Sequence, residues 1–270
     1  MKIVFIATNY NNSHYTVKMV DSIFKNINHE LCVVIIDNAS NEEDVKNLEA
    51  ISTKDPRVNI VKLAANVGYF GGLNEGLKYA RSKNPKFEWV VVGNNDLEFP
   101  NDFCDKIDKL SGKLNEYPVI SPDVVTLDGL HQNPHVINGI SITRRLIYKM
   151  YFTNYYSGLA LYAIASWLGP VVRRSDMNHW KTAQNIEQGH GSCYVLSPKF
   201  FQFYNSLWCP TFMMSEEYFL SIQLKKNLQK IFYTPEISVL HHMHGALNAI
   251  PRRRRWEMEK NAYLISKRFN

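Results

Sequence analysis

The sequence lacks the features that most quickly assign a protein of 270 residues to a class. Its four cysteines form neither a CxxC pair nor a metal-ligand spacing, which is typical of buried, reduced thiols in a cytosolic protein. No GxGxxG follows a predicted strand, which disfavours a dinucleotide-dependent oxidoreductase. There are no internal repeats and no linker rich in glycine, serine or proline, so we predict one continuous domain.

Long hydrophobic runs are also scarce. The first, Ile3–Ala7, is too short for a secretion signal and suits a buried strand. Residues 150–172 are uncharged over 23 positions and have basic flanks, a length that can span a bilayer. Polar residues dilute that run, and a span would separate two halves of the site predicted below. We therefore predict an interfacial helix, or one covering an acceptor, with its basic flanks facing anionic headgroups.

What the sequence does contain is enough apolar material for a full core and an excess of positive charge. Apolar residues make up 45% of the chain, and the net charge is +6. Such a chain favours anionic partners, which include nucleotides, phosphorylated lipids, a membrane surface and nucleic acid. The basic run Arg252–Arg255 can contact phosphate groups. It is short and lacks an aromatic-rich RNA motif, so we predict no nucleic-acid partner.

Strand and helix patterns alternate over the first 120 residues, which predicts an α/β fold with a mostly parallel sheet and right-handed crossovers. The second half predicts a helix over Ser215–Gln229 and a short strand pair at Ile231–Tyr233 and Ser238–Leu240. In the first half, the predicted strands are Ile3–Ala7, Cys32–Ile36, Val58–Val61 and Trp89–Val92, and the predicted helices begin at Ser13, near Val45 and at Gly71.

Polar side chains follow all four of these strands, and ligands of parallel sheets bind at the carboxyl ends of the strands. The segment Asn94-Asn95-Asp96 offers one carboxylate, and Mg²⁺ and Mn²⁺ prefer oxygen ligands. An Asx-turn that closes the strand explains the same tripeptide equally well. The four strand ends are Asn9-Tyr10-Asn11, Asp37-Asn38, Asn66-Val67-Gly68 and Asn94-Asn95-Asp96.

Together these segments resemble the donor-binding half of family 2 glycosyltransferases, which have the GT-A fold. The resemblance implies a Rossmann-like, mostly parallel central sheet flanked by helices, with a helical elaboration on the acceptor side. It also implies a nucleotide-sugar-binding half over 1–120 and an acceptor and catalytic half over 121–270, with a helical insertion at about 138–188. The matching motifs are Thr8-Asn9-Tyr10-Asn11, Asp37-Asn38-Ala39-Ser40, the stretch Asn66–Asn74 and Asn94-Asn95-Asp96.

By this resemblance, Asp96 ligates a Mg²⁺ or Mn²⁺ ion that holds the donor diphosphate. Asp37 accepts a hydrogen bond from N3–H of the base, and Tyr10 lies near the base. From the residues alone, Asp37 also reads as a solvated turn carboxylate, and the glycines as turn geometry. The donor contacts implied are Thr8, Tyr10, Asn11, Asp37, Asn66, Gly68, Gly72, Asn74, Asn94 and Asn95.

In the second half, Glu216 and Glu217 open a predicted helix, where adjacent carboxylates are usually only favourable partners of the helix dipole. The sequence Ser215–Leu220 resembles the family's Glu-Asp-x-Asp-Leu motif, which implies that Glu217 is the catalytic base and that Glu216 contacts the acceptor. The chain departs from the motif in having Glu217 for the first Asp. Phe219 stands where the second Asp would be, which questions an acceptor contact there.

Two further features of the second half match the family. The glycine-rich stretch Gly189–Leu196 resembles the strand before the base, which implies that Gly191 borders the acceptor, although a core strand with a bend explains it equally well. His241 follows the strand that begins at Pro235 and matches the His near the diphosphate and metal, with His244 as the second choice. The histidines around it lack the fourth ligand of a closed zinc site.

The resemblance therefore implies an inverting sugar transfer from a UDP- or dTDP-linked donor to a glycan or an undecaprenyl-diphosphate-linked acceptor. It places the enzyme in the cytoplasm, peripheral at the inner face of a bacterial plasma membrane, in surface polysaccharide synthesis. A sugar-1-phosphate nucleotidyltransferase needs a glycine-rich loop with Arg or Lys after the first strand, and Thr8–Ser13 has none. A non-catalytic nucleotide-sugar-binding protein is the other alternative, suggested by Phe219 and the run 150–172.

Overall fold

A computed structural model of the chain describes residues 1–83, 87–168, 175–243 and 250–269. Over these residues one nine-stranded sheet crosses the molecule. The strands are β1 (Lys2–Asn9), β2 (Glu30–Asp37), β3 (Val58–Lys62), β4 (Trp89–Asn94), β5 (Leu97–Glu98), β6 (Val119–Thr126), β7 (Gln184–Ile186), β8 (Cys193–Leu196) and β9 (Ile231–His241).

The sheet order is β3-β2-β1-β4-β8-β6-β9-β5, and β7 pairs with β9 on the side of this path. Strands β1 to β4 are mutually parallel, and β6 and β9 run in the same direction, on the far side of the antiparallel β8. Six of the nine described strands thus point one way, because only β5, β7 and β8 oppose them. The predicted α/β fold with a mostly parallel sheet is confirmed.

Helices cover both faces of this sheet. The α-helices are α1 (Ser13–Ile23), α2 (Glu42–Lys54), α3 (Tyr69–Lys83), α4 (Phe103–Leu114), α5 (Ile142–Tyr151), α6 (Tyr155–Leu168), α7 (Phe200–Phe203), α8 (Glu216–Lys225) and α9 (Arg252–Ser266). A 3-10 helix lies at Ser175–His179, and another lies at Lys267–Phe269.

Each face of the sheet has its own apolar core, and side chains of β1 alternate between the two. Phe5 packs with Phe103 and the rest of one cluster, whereas Ile6 packs with Leu77 in the other. A strand that is buried on both faces reads as a continuous apolar run, which is why Ile3–Ala7 was recognisable in the sequence.

Two predicted elements need correction. The predicted strand pair near the C-terminus is one strand, β9, because its backbone continues through Pro235 with a break in register. Thr234 pairs with Pro122 of β6, but the next pair joins Ser238 to Asp123. A bulge of this kind accommodates a proline that the sequence pattern reads as a strand end. The helix predicted from 215 to 229 ends earlier, at Lys225.

The predicted insertion at 138–188 contains the helical hairpin of α5 and α6, and also β7, which extends the sheet. Over the described part of the chain, each helix is too short or too polar to cross a bilayer. The division into a donor half and an acceptor half stays a prediction.

Candidate active site

A cavity of about 760 Å³ opens at the edge of the sheet where β1 and β4 end. Parallel pairing places Thr8 beside Asn94 at this edge, as expected for the ligand edge of an α/β sheet. The cavity brings together most of the residues predicted from the sequence. These are Thr8, Tyr10, Asn66, Gly68, Asn94, Asn95, Asp96, Gly191, Glu216, Glu217 and His241.

Asp96 and His241 form a buried pair in this cavity, with 3.3 Å between Oδ1 of Asp96 and Nε2 of His241. The pairing of β5 with β9 sets this distance, since Leu97 lies opposite His241 and the N–H of His242 donates to the carbonyl of Asp96. Two residues far apart in sequence thus meet through backbone geometry.

The amide of Gln132 fixes which nitrogen of His241 faces Asp96. Oε1 of Gln132 lies 2.7 Å from Nδ1 of His241, while the amide nitrogen of Gln132 donates to Sδ of Met243. An amide oxygen only accepts, so Nδ1 of His241 donates to Gln132, and Nε2 is the nitrogen that faces the carboxylate. Metal-binding histidines are oriented by such a partner on their other nitrogen.

The pair suits one divalent cation, because it offers a carboxylate oxygen and an imidazole nitrogen, both usual ligand atoms, 3.3 Å apart. Among the described residues no cluster of three His, Cys, Asp or Glu side chains is placed to hold a metal. Mg²⁺ and Mn²⁺ typically complete their coordination with water and phosphate oxygens, so two protein ligands suffice when a diphosphate is bound. His244, the second choice from the sequence, lies outside the described residues.

His190 lies next to this pair, with its ring centre 5.7 Å from that of His241. Burial, and then the neighbouring His241, lower the pKa of His190 to about 3. Its imidazole is therefore neutral near pH 7, and its Nδ1 lies 2.8 Å from Oγ of Ser192. The wall beside the candidate metal site is polar without adding a positive charge.

The amide of Asn95 ties the end of β4 to the end of β1 and the start of α1. Its nitrogen lies 2.8 Å from Oδ1 of Asn12, 2.8 Å from Oγ1 of Thr16 and 3.1 Å from Oδ1 of Asn9. Asn94 is placed differently, with its nitrogen 3.4 Å from Nε2 of His241. The tripeptide therefore combines a structural anchor with a residue at the candidate metal site.

Glu216 and Glu217 enter the cavity at the start of α8, after two residues with left-handed backbone. Met214 has φ of 76° and Ser215 has φ of 65°, a conformation that costs a non-glycine residue free energy. This turn aims both carboxyl groups at the cavity wall. Backbone strain of this kind is common at functional sites.

The two carboxyl groups have different surroundings. Burial, together with the charge of Glu217, raises the pKa of Glu216 to about 8, so Glu216 holds a proton near neutral pH. Oε1 of Glu217 accepts a hydrogen bond from the N–H of Gly191 at 3.1 Å. Environments that separate two neighbouring carboxyl groups in this way assign them different roles. Glu217 is the candidate base of the pair.

Gly191 makes this arrangement possible because it has no side chain. A Cβ atom at this position would lie 2.6 Å from Oε1 of Glu217, closer than non-bonded atoms pack. The hydroxyl of Tyr69 donates to the carbonyl of Gly191 and holds the loop from the other side. Whether Gly191 also borders an acceptor stays a prediction.

Four predicted donor residues do not line the cavity. The amide of Asn74 exchanges two hydrogen bonds of 2.8 Å with the backbone of Leu207, and a Cβ atom on Gly72 would lie 2.6 Å from Cγ2 of Thr8. Oδ1 of Asn11 accepts from the N–H of Asn41. Asp37 is buried and accepts from the N–H of Ser40 at 3.3 Å.

These contacts give the four residues places in the scaffold around the cavity. A direct donor contact for them stays a prediction. Phe219 likewise packs in the core, with its ring centre 5.4 Å from that of Trp208, so it replaces the family's acid with an apolar anchor.

Several residues that line the cavity were not predicted from the sequence. Asn38 could have been selected because it belongs to the motif Asp37-Asn38-Ala39-Ser40. Its amide accepts a hydrogen bond from the N–H of Val67 and donates one to the carbonyl of Gly68. The others include Asn9, Asn12, Gln132, His190, Ser192 and residues 212–214. Among the others, Asn9 ends β1, and His190 and Ser192 lie in the glycine-rich stretch before β8, whereas Gln132 and residues 212–214 come from segments with no periodic pattern.

The first turns of α9 form the remaining wall. Arg254 and Arg255, from the basic run noted in the sequence, line the cavity together with Ile250, Pro251 and Met258. Arg255 also pairs with Glu259 at 3.2 Å. The cavity therefore combines two guanidinium groups with the acidic pair and the candidate metal site, which suits a ligand with negative charge at one end.

Comparisons with solved structures agree with this architecture. The mannosyltransferase PcManGT from Pyrobaculum calidifontis, solved with GDP-Man and Mn²⁺, aligns with a TM-score of 0.56 at 15% identity, over 97% of this chain and 64% of that one. TarS of S. aureus aligns with a TM-score of 0.55 at 14% identity, over 90% of this chain and 37% of that one.

A third structure, GalNAc-T7 with UDP, GalNAc and Mn²⁺, aligns with a TM-score of 0.53 at 13% identity, over 90% of this chain and 44% of that one. The chain thus spans less than two thirds of the length of each of these structures. At such identities the likeness shows the fold, which is GT-A. No curated protein sequence matches the chain significantly.

The model of the family described as "Glycosyl transferase family 2" matches residues 4–157, which is more than half of the chain. This match includes all four strand ends that gave rise to the resemblance. The chain belongs to glycosyl transferase family 2.

Proposed function

We propose that the protein transfers a sugar from a nucleotide diphosphate sugar to a hydroxyl group of an acceptor, with inversion at the anomeric carbon. One observation supports this above all. A candidate divalent cation site, Asp96 with His241, and a candidate base, Glu217, line the same cavity. Family membership supports the same activity, as do two similar structures that were solved with a nucleotide or nucleotide-sugar and Mn²⁺.

On the donor side, Asp96 and His241 would hold Mn²⁺ or Mg²⁺, which supplies positive charge where the leaving diphosphate develops negative charge. Arg254 and Arg255 face the same cavity and would bind phosphate oxygens. A UDP- or dTDP-linked donor is proposed, with Tyr10 on the wall expected to lie near the base.

On the acceptor side, Glu217 takes the proton from the acceptor hydroxyl as that oxygen attacks the anomeric carbon. The bond from this carbon to the diphosphate breaks, and its electron pair leaves with the nucleoside diphosphate. The N–H of Gly191 holds the Glu217 carboxylate in position. Protonated Glu216 can donate a hydrogen bond to the acceptor, which agrees with its proposed role as an acceptor contact.

We also propose that the acceptor is a glycan or an undecaprenyl-diphosphate-linked glycan, used in surface polysaccharide synthesis. In this proposal the enzyme works in the cytoplasm, peripheral at the inner face of a bacterial plasma membrane. The basic charge of the chain and the uncharged run at 150–172 support an acceptor of this kind.

The experiment begins with a panel of nucleotide-sugars, scored by thermal shift with and without Mn²⁺. Release of nucleoside diphosphate is then measured for the donor that binds. We expect Glu217→Gln to lower turnover by about 10² to 10⁴-fold while donor binding persists, as for removal of a general base. Asp96→Asn should weaken donor binding in the presence of Mn²⁺.

The matched controls are Glu43→Gln and Asp108→Asn, which make the same chemical changes at exposed positions and should leave turnover unchanged. Near-full turnover in Glu217→Gln would show that another residue is the base. A donor that binds but is neither transferred nor hydrolysed by the unaltered protein would favour a binding protein instead.

A further inference from the structure

The hairpin of α5 and α6 lies outside both cores. No residue of α5 is buried, and Gly158 is the one buried residue on the described part of α6. Yet α6 has no charged residue along its 14 positions. A helix that is apolar around its circumference is normally covered, either by protein or by lipid. Among the residues that the structure describes, protein covers one side of it.

Helix α9 supplies that cover. Nε1 of Trp256 donates to the carbonyl of Tyr151 at 3.3 Å, and the ring of Tyr263 stacks on Phe152 with 4.7 Å between ring centres. Gly158 lies against Trp256, where a Cβ atom would be 2.7 Å from Nε1. These contacts fasten the hairpin to α9 and leave its opposite side exposed.

The exposed side has apolar stripes with helical spacing. On α5, Ile142, Leu146 and Met150 recur every four residues and are all exposed, with Ile147 beside them. On α6, Tyr156, Ile164 and Trp167 are exposed along the side away from α9. An apolar surface of this extent on a folded protein marks an interaction site.

The charge around these stripes indicates what covers them. Residues 129–175 contain no Asp or Glu but five Arg or Lys. On α5, Arg145 and Lys149 are exposed beside the apolar stripe. A basic amphipathic helix with large apolar side chains is suited to the surface of a bilayer that contains anionic lipids. A second copy of this chain would bring the same positive charges together, which disfavours self-association through this face.

We propose that the α5–α6 hairpin is a membrane-docking element that lies in the interface of an anionic bilayer. Because α9 holds the hairpin and also lines the cavity through Arg254, Arg255 and Met258, docking places the cavity beside the headgroups. A lipid-linked acceptor would then reach Glu217 without leaving the bilayer. This last consequence rests on the proposed function, whereas docking itself does not.

The test is flotation of the full chain with vesicles of phosphatidylcholine, alone or mixed with phosphatidylglycerol. We expect binding to the anionic vesicles, and binding that weakens as salt is added. The double variant Ile142→Ser with Trp167→Ser should bind at least about tenfold less tightly, because it removes two large apolar side chains from the docked face. Arg145→Gln with Lys149→Gln should weaken binding to the anionic vesicles only.

The chain offers a matched control for the apolar pair. Ile142 and Trp167 are each 86% exposed, and Ile27 and Leu228, which lie elsewhere, are 84% and 92% exposed. The double variant Ile27→Ser with Leu228→Ser should bind vesicles as the unaltered protein does. Equal weakening by both pairs would overturn the proposal, as would a lack of binding to anionic vesicles by the unaltered protein.

Light scattering distinguishes a second copy as the occupant. A dimer that the Ile142→Ser with Trp167→Ser variant disperses would overturn the membrane proposal. Hydrolysis of the nucleotide-sugar in solution should be the same in this variant and the unaltered protein, since the hairpin lies outside the reacting groups. Vesicle binding without any donor turnover would reject the proposed function and leave the docking element standing.

Discussion

The paired glutamates show how a single residue's surroundings set its chemistry. Glu216 and Glu217 are neighbours in sequence, yet burial keeps Glu216 protonated while a backbone N–H supports the carboxylate of Glu217. The sequence motif alone made Glu217 the base by analogy. The structure adds a physical reason, since a group that holds its proton near neutral pH cannot remove one from an acceptor.

This assignment predicts how stability depends on pH. The pKa of Glu216 is about 8 in the folded chain and near 4.5 when unfolded, so folding favours the protonated form. The stability that protonated Glu216 contributes is fully present below about pH 4.5 and is lost as the pH rises towards 8. We expect the free energy of unfolding of Glu216→Gln to exceed that of the unaltered protein at pH 8 by on the order of 4 kcal/mol, at about 1.4 kcal/mol per pKa unit.

Urea denaturation between about pH 5 and pH 8 measures this difference, and subtracting the two curves removes other titrations. Glu217→Gln is the informative companion variant. Because the charge of Glu217 helps to raise the pKa of Glu216, its removal should shift the transition to lower pH. A difference between Glu216→Gln and the unaltered protein that is flat across this range would contradict a protonated Glu216.

At the scale of elements, α3 shows why a motif residue can serve the scaffold. The amide of Asn74 donates to the carbonyl of Leu207 and accepts from its N–H, both at 2.8 Å. These bonds tie α3 to the segment that leads into the strained turn before α8. The motif therefore supports the position of Glu217 from a distance.

We predict that Asn74→Ala lowers the free energy of unfolding by about 1 to 3 kcal/mol, because it leaves the backbone groups of Leu207 without this partner. Its donor affinity should be unchanged, as measured by calorimetry below the unfolding temperature. Asn66→Ala is the contrasting variant, since Asn66 lines the cavity. A loss of donor affinity in Asn74→Ala that matches the loss in Asn66→Ala would restore Asn74 as a donor contact.

Elements also show which parts of the site could be read from sequence. The first four strands were predicted because continuous apolar runs indicate strands buried on both faces, and their polar ends had to meet at one edge. Gln132 and His190 could not be predicted in the same way. They come from irregular segments that have no periodicity, and only the pairing of β6, β8 and β9 brings those segments to the cavity.

The anchoring role of the Asn95 amide could not be predicted from the sequence either. Nothing in Asn94-Asn95-Asp96 tells which amide anchors the end of β4, because this depends on the start of α1. The contacts with Asn12 and Thr16 decide it. The tripeptide therefore combines an anchor, Asn95, with a candidate metal ligand, Asp96, in adjacent residues.

At the scale of the whole molecule, the candidate metal site joins the two halves of the chain. Asp96 follows β4, whereas His241 ends β9 and its orientation depends on Gln132 after β6. Two protein ligands alone leave most of the coordination sphere of Mn²⁺ to water, and a diphosphate can replace that water. Metal and donor should therefore bind as a coupled pair, each weakly without the other.

This coupling gives a prediction for the whole protein. We expect Mn²⁺ to tighten donor binding, and the donor to tighten Mn²⁺ binding by the same factor, on the order of 5- to 150-fold. Calorimetry of each ligand with and without the other measures both factors, and chelation by EDTA should return the donor affinity to its metal-free value. In His241→Ala the two factors should fall together, because linkage requires them to be equal. Tight Mn²⁺ binding in the absence of donor would instead require protein ligands beyond Asp96 and His241.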